Sequence, residues 1–391
     1  MAKIVIHQEK SMSPEETVKL CPFGAIECIE GKIEINAGCK MCKICVKQGP
    51  VGVFELVEDE PETAEFDPGN GILVYADCSE REIHPVTYEL LGKAREMANK
   101  IGHPVYGILI GYEIKEKAKE LLHYGVDEVF VYDNQHFQYF RIEPYAAAME
   151  DLIMKKRPTI VLVGGTTVGR SLAPRVAARF RTGLTADCTK LSIQDNTDLD
   201  QIRPAFGGNI MAHIHTPKHR PQFATVRYKV FDAPARTKET EGKITEYDMP
   251  LEKMASNINV IKIKKKEKIE ALEDAEVIVV AGRAVKKKED LNMIYQLADR
   301  LGAQVAGTRP LIETGWLDAR KQIGLSGRTV KPKLIITCGV SGAIQFISGM
   351  NNTDCIIAIN SNENASIFNV AHYGIVGDIY EVIPRIIEKL K

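Results

Sequence analysis

Gly71-Ile72-Leu73-Val74-Tyr75-Ala76, a helical pattern through about Val86 to Ile101, and then Val105-Tyr106-Gly107-Ile108-Leu109-Ile110 form the stretch that decides the fold. Short, continuous apolar runs separated by a helix-length segment read as parallel strands buried on both faces. The pattern repeats with Glu128-Val129-Phe130-Val131-Tyr132 and Thr159-Ile160-Val161-Leu162-Val163. Four such runs alternating with helices predict a three-layer α/β domain with a parallel sheet covered on both sides.

Working outward, this domain is bounded on its amino-terminal side by the acidic, turn-forming run from Val57-Glu58-Asp59-Glu60-Pro61-Glu62 to Asp67-Pro68-Gly69-Asn70-Gly71. A second boundary falls around residues 233 to 268. There Pro234 and Thr237 to Gly242 precede Ile261-Lys262-Ile263-Lys264-Lys265-Lys266-Glu267-Lys268, read as a solvated linker or a strand edge because no aromatic residue interleaves the lysines. The sheet pattern then restarts. Glu276-Val277-Ile278-Val279-Val280-Ala281-Gly282-Arg283 reads as a strand ending in a glycine turn, and Leu291 to Leu301 has helical period. Lys333-Leu334-Ile335-Ile336-Thr337-Cys338-Gly339 and Cys355-Ile356-Ile357-Ala358-Ile359-Asn360 are further strands with small or polar ends. Ligands in open α/β sheets sit at the carboxyl ends of strands, so this last region is the candidate cofactor domain. The expected division is 1–66, 67–255 and 256–391.

Residues 1–66 carry a different chemistry. Cys39-Lys40-Met41-Cys42-Lys43-Ile44-Cys45 is a Cys-x2-Cys-x2-Cys loop, and Cys21, upstream, is followed directly by Pro22. A 4Fe-4S cube presents four iron corners that each want a thiolate; such a loop wraps three and a distant Cys-Pro supplies the fourth. The motifs of a two-cluster ferredoxin are only half present: no cysteine precedes Cys21, and Gly49 stands where a second Cys-Pro would begin. One cluster, held by Cys21, Cys39, Cys42 and Cys45, is the expectation, in a ferredoxin-like module. The alternative occupant is structural zinc, which usually pairs two Cys-x2-Cys knuckles. Cys28 reads as a small packed residue. Lys40, Lys43 and Lys47 crowd the loop, either to dock an acidic electron carrier or to offset cluster charge.

Composition narrows the class. The chain has 391 residues, 45% of them apolar, which is room for two or three cores. A formal net charge of −1 gives no reason to expect a nucleic-acid partner. Of nine cysteines, five lie in the first 45 residues, a distribution unlike a secreted disulfide framework. No run approaches the ~20 apolar residues of a membrane span, and the first residues lack a signal-peptide core. A reducing, cytoplasmic location is expected.

Gly339-Val340-Ser341-Gly342-Ala343-Ile344-Gln345 follows a strand and reads as the opening of a helix, whose unpaired N–H groups would attract phosphate. It matches neither the Gly-x-Gly-x-x-Gly fingerprint nor the Walker loop, and by spacing alone reads as an ordinary βα turn. Together with Ser348-Gly349-Met350, Ile357-Ala358-Ile359-Asn360 and His372-Tyr373-Gly374-Ile375-Val376-Gly377-Asp378, however, it resembles the FAD domain of the electron transfer flavoprotein (ETF) α subunit. Gly164-Gly165-Thr166-Thr167-Val168-Gly169-Arg170-Ser171-Leu172-Ala173-Pro174-Arg175, Thr182-Gly183-Leu184-Thr185-Ala186-Asp187 and Arg203-Pro204-Ala205-Phe206-Gly207-Gly208-Asn209 are similar to the same family. The resemblance covers about residues 68 to 391. It implies an α/β domain followed by a Rossmann-like FAD-binding domain.

The resemblance assigns FAD contacts to Arg283, Thr308 and Arg309, to Ile323, Gly324, Leu325 and Ser326, to Ser341, Gly342, Ala343, Ile344, Gln345 and Phe346, and to Asn360, Asp378 and Ile379. Arg283 and the Ser341 turn would offset pyrophosphate charge, Ser326 would bond the flavin ring edge, and Arg309 would stabilise negative charge on a reduced flavin. Two positions depart from the family. Phe346 stands where histidine is usual and Leu325 where Gln-Thr-Gly begins, so the ring's redox tuning differs from the ordinary family. In the family the middle domain mainly builds the β-subunit interface, which places Arg170, Arg175 and Arg203 in structural or interface roles.

An ordinary ETF α subunit lacks an iron–sulfur module. The fused module resembles α subunits of anaerobic, electron-bifurcating ETF complexes of the caffeyl-CoA reductase or lactate dehydrogenase type. The resemblance implies a heterodimer with an ETF β subunit whose FAD meets NADH, a flavin-dependent dehydrogenase of acyl-CoA or lactate type as a further partner, and ferredoxin as the acceptor reached through the cluster. No residue of this chain then need act as a catalytic acid, base or nucleophile. A non-bifurcating carrier with an extra relay cluster, or an assembly module with a structural cluster, are the alternatives.

Overall fold

The computed structural model describes residues 2–10, 13–29, 31–36, 39, 42–58, 69–79, 81–205, 210–264 and 271–390. The chain divides into two compact units, Met1–Asp67 and Pro68–Lys391. The acidic run from Asp59 to Pro68, Lys265 to Lys268 and the Phe206–Asn209 end of the arginine-proline motif lie outside the described residues.

In the first unit the strand Ala2–Ile6 pairs antiparallel with Phe54–Glu58, and Ile26–Ile29 pairs antiparallel with Lys32–Ile35. Short helices, Pro14–Val18 and Ile44–Gln48, connect the strands. The buried core is Ile26, Ile33, Cys45, Val53 and Phe54, with Ile4, Ile6, Val18 and Leu20 packed against it. Among the described residues this cluster holds five buried side chains, and small scaffolds of this kind usually need a staple.

The second unit contains two parallel sheets. The larger has seven strands in the order Leu184–Cys188, Gln222–Val226, Ile160–Gly164, Ile72–Ala76, Val105–Gly111, Glu128–Asp133 and Lys243–Glu246. Alternation along the central strand divides the core: Ile72, Val74 and Ala76 face one side, Leu73 and Tyr75 the other. Helices Val86–Ile101 and Lys115–Leu122 cover the first face through Leu90, Ala94, Met97 and Leu121. Helices Ile142–Lys156 and Thr167–Arg179 cover the second through Met149, Leu152, Leu172 and Val176. Both faces are therefore buried, as the uniform apolar runs require. Within the boundary region 233–268, Lys243–Glu246 is an edge strand of this sheet, an element not read from the sequence. Lys262 and Lys264 lie in exposed irregular chain beside Ile261, which is 97% exposed.

The smaller sheet has five parallel strands ordered Gln304–Gly307, Val277–Ala281, Leu334–Cys338, Cys355–Asn360 and Tyr373–Val376. Helices Leu291–Leu301 and Ile379–Lys389 bury Ile294, Leu297, Ile379 and Ile383 on one face. Phe346, Met350 and Ile367 fill the other. The segment after the strand Gln222–Val226 meets this lobe: Tyr228 Oη donates to Asp274 at 3.0 Å, and Lys331 pairs with Asp232. That segment is in turn held by Glu89, whose carboxylate accepts the Lys229 N–H at 3.0 and 3.1 Å. Among the described residues no helix is long and apolar enough to cross a membrane.

Candidate cofactor cavity and cysteine cluster

In the five-stranded sheet, the first strand in sequence, Val277–Ala281, lies between the second and the third. Connections leave it in opposite directions, which opens a crevice at the carboxyl ends. A cavity of about 800 Å3 occupies that position. Arg283 and Ala284 reach it from the end of the first strand, and Thr308, Arg309 and Pro310 from the second. The Gly339–Gln345 turn follows the third, and Asn360 ends the fourth. The loop Gln322–Ser326 closes the remaining side.

The cavity is electropositive. Arg283 and Arg309 line it and, among the described residues, no carboxylate does. Arg283 is exposed and has no ion-pair partner among the described residues, whereas Arg309 Nε bonds Glu313 at 2.7 Å one helical turn on. Thr308 precedes the helix Arg309–Glu313 but does not cap it, and its buried Oγ1 has no hydrogen-bond partner. A buried hydroxyl left unpaired costs about 1–3 kcal/mol, so its presence here fits a polar ligand atom.

Two glycines shape the floor. Gly339 has φ +67° and Gly342 φ +82°, a region that favours glycine. A Cβ on Gly339 would stand 2.2 Å from that of Ala284, and one on Gly342 would stand 2.1 Å from the Ile367 nitrogen. The Ile367 N–H donates to Ser341 O at 3.2 Å and ties the turn down. The helix expected to open here is only Ile344–Ile347. With a single turn there is little macrodipole, and any anion contact must come from local N–H groups. Asn360 is committed to the same turn: its Nδ2 donates to Val340 O at 2.8 Å and its Oδ1 accepts from Asn362 N at 2.9 Å.

Most of the expected contacts converge on this cavity, but four do not line it. Gly342 lies under the turn against Ile367. Ile344 is 44% exposed and points away. Asp378 caps the helix Ile379–Lys389 by accepting the Tyr380 N–H at 3.0 Å, and Ile379 is buried in the core behind the sheet. Ala284, Pro310, Gln322, Gly339 and Val340 line the cavity without having been expected. Ala284, Pro310, Gln322 and Val340 each adjoin an expected residue in sequence, and Gly339 lies in the same glycine turn; that proximity was the available signal.

In the first unit Cys21, Cys39, Cys42 and Cys45 line one common cavity with Ile4, Pro22 and Lys43. Cys21 Sγ accepts the Ala25 N–H at 3.3 Å across a turn in which Gly24 adopts φ +63°. Cys45, in the first turn of the helix Ile44–Gln48, is buried, and Cys42 is exposed. Burial pushes the Cys45 thiol up, backbone N–H groups of Val46 and Cys45 work against that, and the Cys39 and Cys42 thiols push it further up. The three are thus electrostatic neighbours. Cys28 sits on the hairpin opposite Ile33 and does not line the cavity. Lys40 lies outside the described residues. Among the described residues no three His, Cys, Asp or Glu side chains stand close enough to hold a single metal ion.

A second cavity, about 520 Å3, runs between the two sheets' lobes beside Asp187, Arg203, Arg227 and Leu325. Burial opposes ionisation of Asp187, but Arg227 at 2.7 Å, with Arg170 and Arg203 nearby, holds its carboxyl below the usual range. Arg170 bonds the other Asp187 oxygen at 3.1 Å. Asp187 is thus the shared counter-ion of Arg170 and Arg227.

The electron transfer flavoprotein domain family matches residues 72–252, and the electron transfer flavoprotein FAD-binding domain matches residues 271–351. The chain is 58% identical, over 96% of its length and 90% of the relative's, to the lactate dehydrogenase (NAD(+),ferredoxin) subunit LctC of Acetobacterium woodii. A match of that extent takes in most of residues 1–67, which lie outside both family matches. It is 42% identical to the electron transfer flavoprotein subunit alpha of Thermoanaerobacterium thermosaccharolyticum, over 82% of this chain and 97% of that one. It is 36% identical to the acryloyl-CoA reductase electron transfer subunit beta of Anaerotignum propionicum, over 84% and 98%. The chain belongs to the electron transfer flavoprotein α-subunit family.

Proposed function

We propose that the 800 Å3 cavity holds FAD, that Cys21, Cys39, Cys42 and Cys45 hold one 4Fe-4S cluster, and that the chain serves flavin-based electron bifurcation. Its partners in this reading are an NADH-linked ETF β subunit with its own FAD, ferredoxin, and a flavin-dependent dehydrogenase of the acyl-CoA or lactate type. Residues 1–66 are the ferredoxin-like module, 67–255 the β-subunit interface domain and 256–391 the FAD domain. The observation that carries the reading is a cavity at a topological switch point lined, among the described residues, by two arginines and no carboxylate, with the unpartnered Thr308 hydroxyl. Small-molecule sites occupy about 300–1,000 Å3, and this volume suits a ligand of FAD's class.

Bound there, the two cofactors supply one-electron chemistry; the residues bind, orient and screen them. Arg283 and the Ser341 turn offset pyrophosphate charge, and Thr308 Oγ1 gains its missing partner. Leu325 and Phe346 exclude water from the ring, and Arg309 offsets negative charge on it. In the first unit, exposed Cys42 would hold its share of the cluster near the surface, with Lys43 and Lys47 close in sequence, which suits an acidic carrier such as ferredoxin. A cube would also act as a staple for this small core. The similarity to a subunit of an NAD(+),ferredoxin lactate dehydrogenase along nearly the whole chain supports the ferredoxin link.

The test is composition. Anaerobically purified chain should carry one FAD and one cluster, with the EPR signal of a reduced 4Fe-4S centre after dithionite. A colourless chain that takes up neither would overturn the reading.

A further inference from the structure

Gln322 has no assigned role, yet its side chain lines the cavity beside its apolar wall. It is 9% exposed and lines the cavity next to Ile323, and its Nε2 donates to Ser326 Oγ at 2.8 Å. The loop between them is fixed by its backbone. Gln322 N donates to Ala319 O at 3.2 Å, Arg328 N to Gln322 O at 2.7 Å, and Leu325 N to Gln345 O at 2.8 Å. A Cβ on Gly327 would stand 2.3 Å from Gln322 O, so the loop closes around this residue.

A serine hydroxyl has one proton to donate and two lone pairs. With one lone pair taken by the Gln322 amide, the proton is left for an acceptor in the cavity. Without that amide the hydroxyl rotates among its staggered positions and competes for nearby backbone acceptors. The neighbours Leu325 and Phe346 offer no polar side-chain atom, so this proton matters to whatever ring lies against them.

We propose that Gln322 is a positioning residue for the flavin: its amide fixes the Ser326 hydroxyl as an acceptor and so aims the Ser326 proton at the ring edge. This rests on the reading that the cavity holds FAD. The test is a double-mutant cycle on the full chain, with Gln322→Met, Ser326→Ala and the pair, reading FAD midpoint potential and FAD dissociation constant. Ser326→Ala should shift the potential and weaken FAD roughly three- to tenfold, the worth of one hydrogen bond. Gln322→Met should shift the potential in the same direction by less, and the double variant should match Ser326→Ala alone. A Gln322→Met shift that is absent, or that persists undiminished beside Ser326→Ala, overturns the inference. Wild-type chain that binds no FAD overturns instead the reading beneath it.

Discussion

Gly342→Ala tests whether the Ser341 turn is the cradle of the cavity. At φ +82° an alanine is strained by roughly 1–2 kcal/mol. Its Cβ would also stand 2.1 Å from the Ile367 nitrogen and 2.5 Å from its Cα, both backbone atoms that cannot rotate aside. The turn must lift, and the 3.2 Å bond from Ile367 N to Ser341 O breaks, worth about 1 kcal/mol more. A total of about 2–3 kcal/mol falls on the segment that would face the pyrophosphate, equivalent to roughly thirty- to hundredfold weaker FAD. The control is Gly302→Ala. Gly302 also has positive φ, at +59°, but a Cβ there meets nothing within 4 Å, and it ends the helix Leu291–Leu301 away from the cavity. It should lower thermal stability without loosening FAD. Fluorescence titration of deflavinated protein with FAD measures both. Wild-type affinity in Gly342→Ala, or equal loosening in Gly302→Ala, would refute the reasoning.

Two further outcomes are expected. Cys21→Ala should abolish the cluster's visible absorbance while FAD content stays at the wild-type value; a full cube retained on three cysteines would remove Cys21 from the ligand set. Glu89 is pushed up to about 7 from an ordinary 4.5, chiefly by burial, with the N–H groups of Lys229, Phe231 and Val230 working the other way. Because the folded state prefers the neutral acid, its contribution is full below pH 4.5 and is lost as pH rises through about 7. That amounts to about 3 kcal/mol at most. Melting temperature should decline across that window and Glu89→Gln should flatten the decline; parallel profiles would contradict the assignment.

The sequence made the strands legible where burial on both faces left a continuous apolar run. Val105–Gly111, Glu128–Asp133 and Cys355–Asn360 lie within a residue of where their composition puts them. Short edge elements were not legible. Lys-Ile-Thr-Glu at 243–246 has one apolar residue and becomes a strand only because Glu128–Asp133 offers a free edge. Strand order is likewise non-local, and it is the order, not the strands, that opens the crevice between Val277–Ala281 and Leu334–Cys338. Within the cavity, glycine spacing correctly marked the turn after Cys338, but a lone turn of helix looks the same in sequence as the start of a long one. The roles of Asn360 and Asp378 as turn and helix anchors depend on which backbone group each side chain reaches, and no spacing rule shows that.

The central claim, single-electron traffic between an NADH-linked flavin partner and ferredoxin through this chain, is tested most directly on the native complex that co-purifies with it. Ferredoxin reduction by NADH should be followed anaerobically with and without the dehydrogenase's own acceptor. Ferredoxin should be reduced only while that acceptor is also being turned over, and Cys21→Ala should stop it. Ferredoxin that never turns over, with the acceptor still served, would contradict it and leave a plain electron carrier.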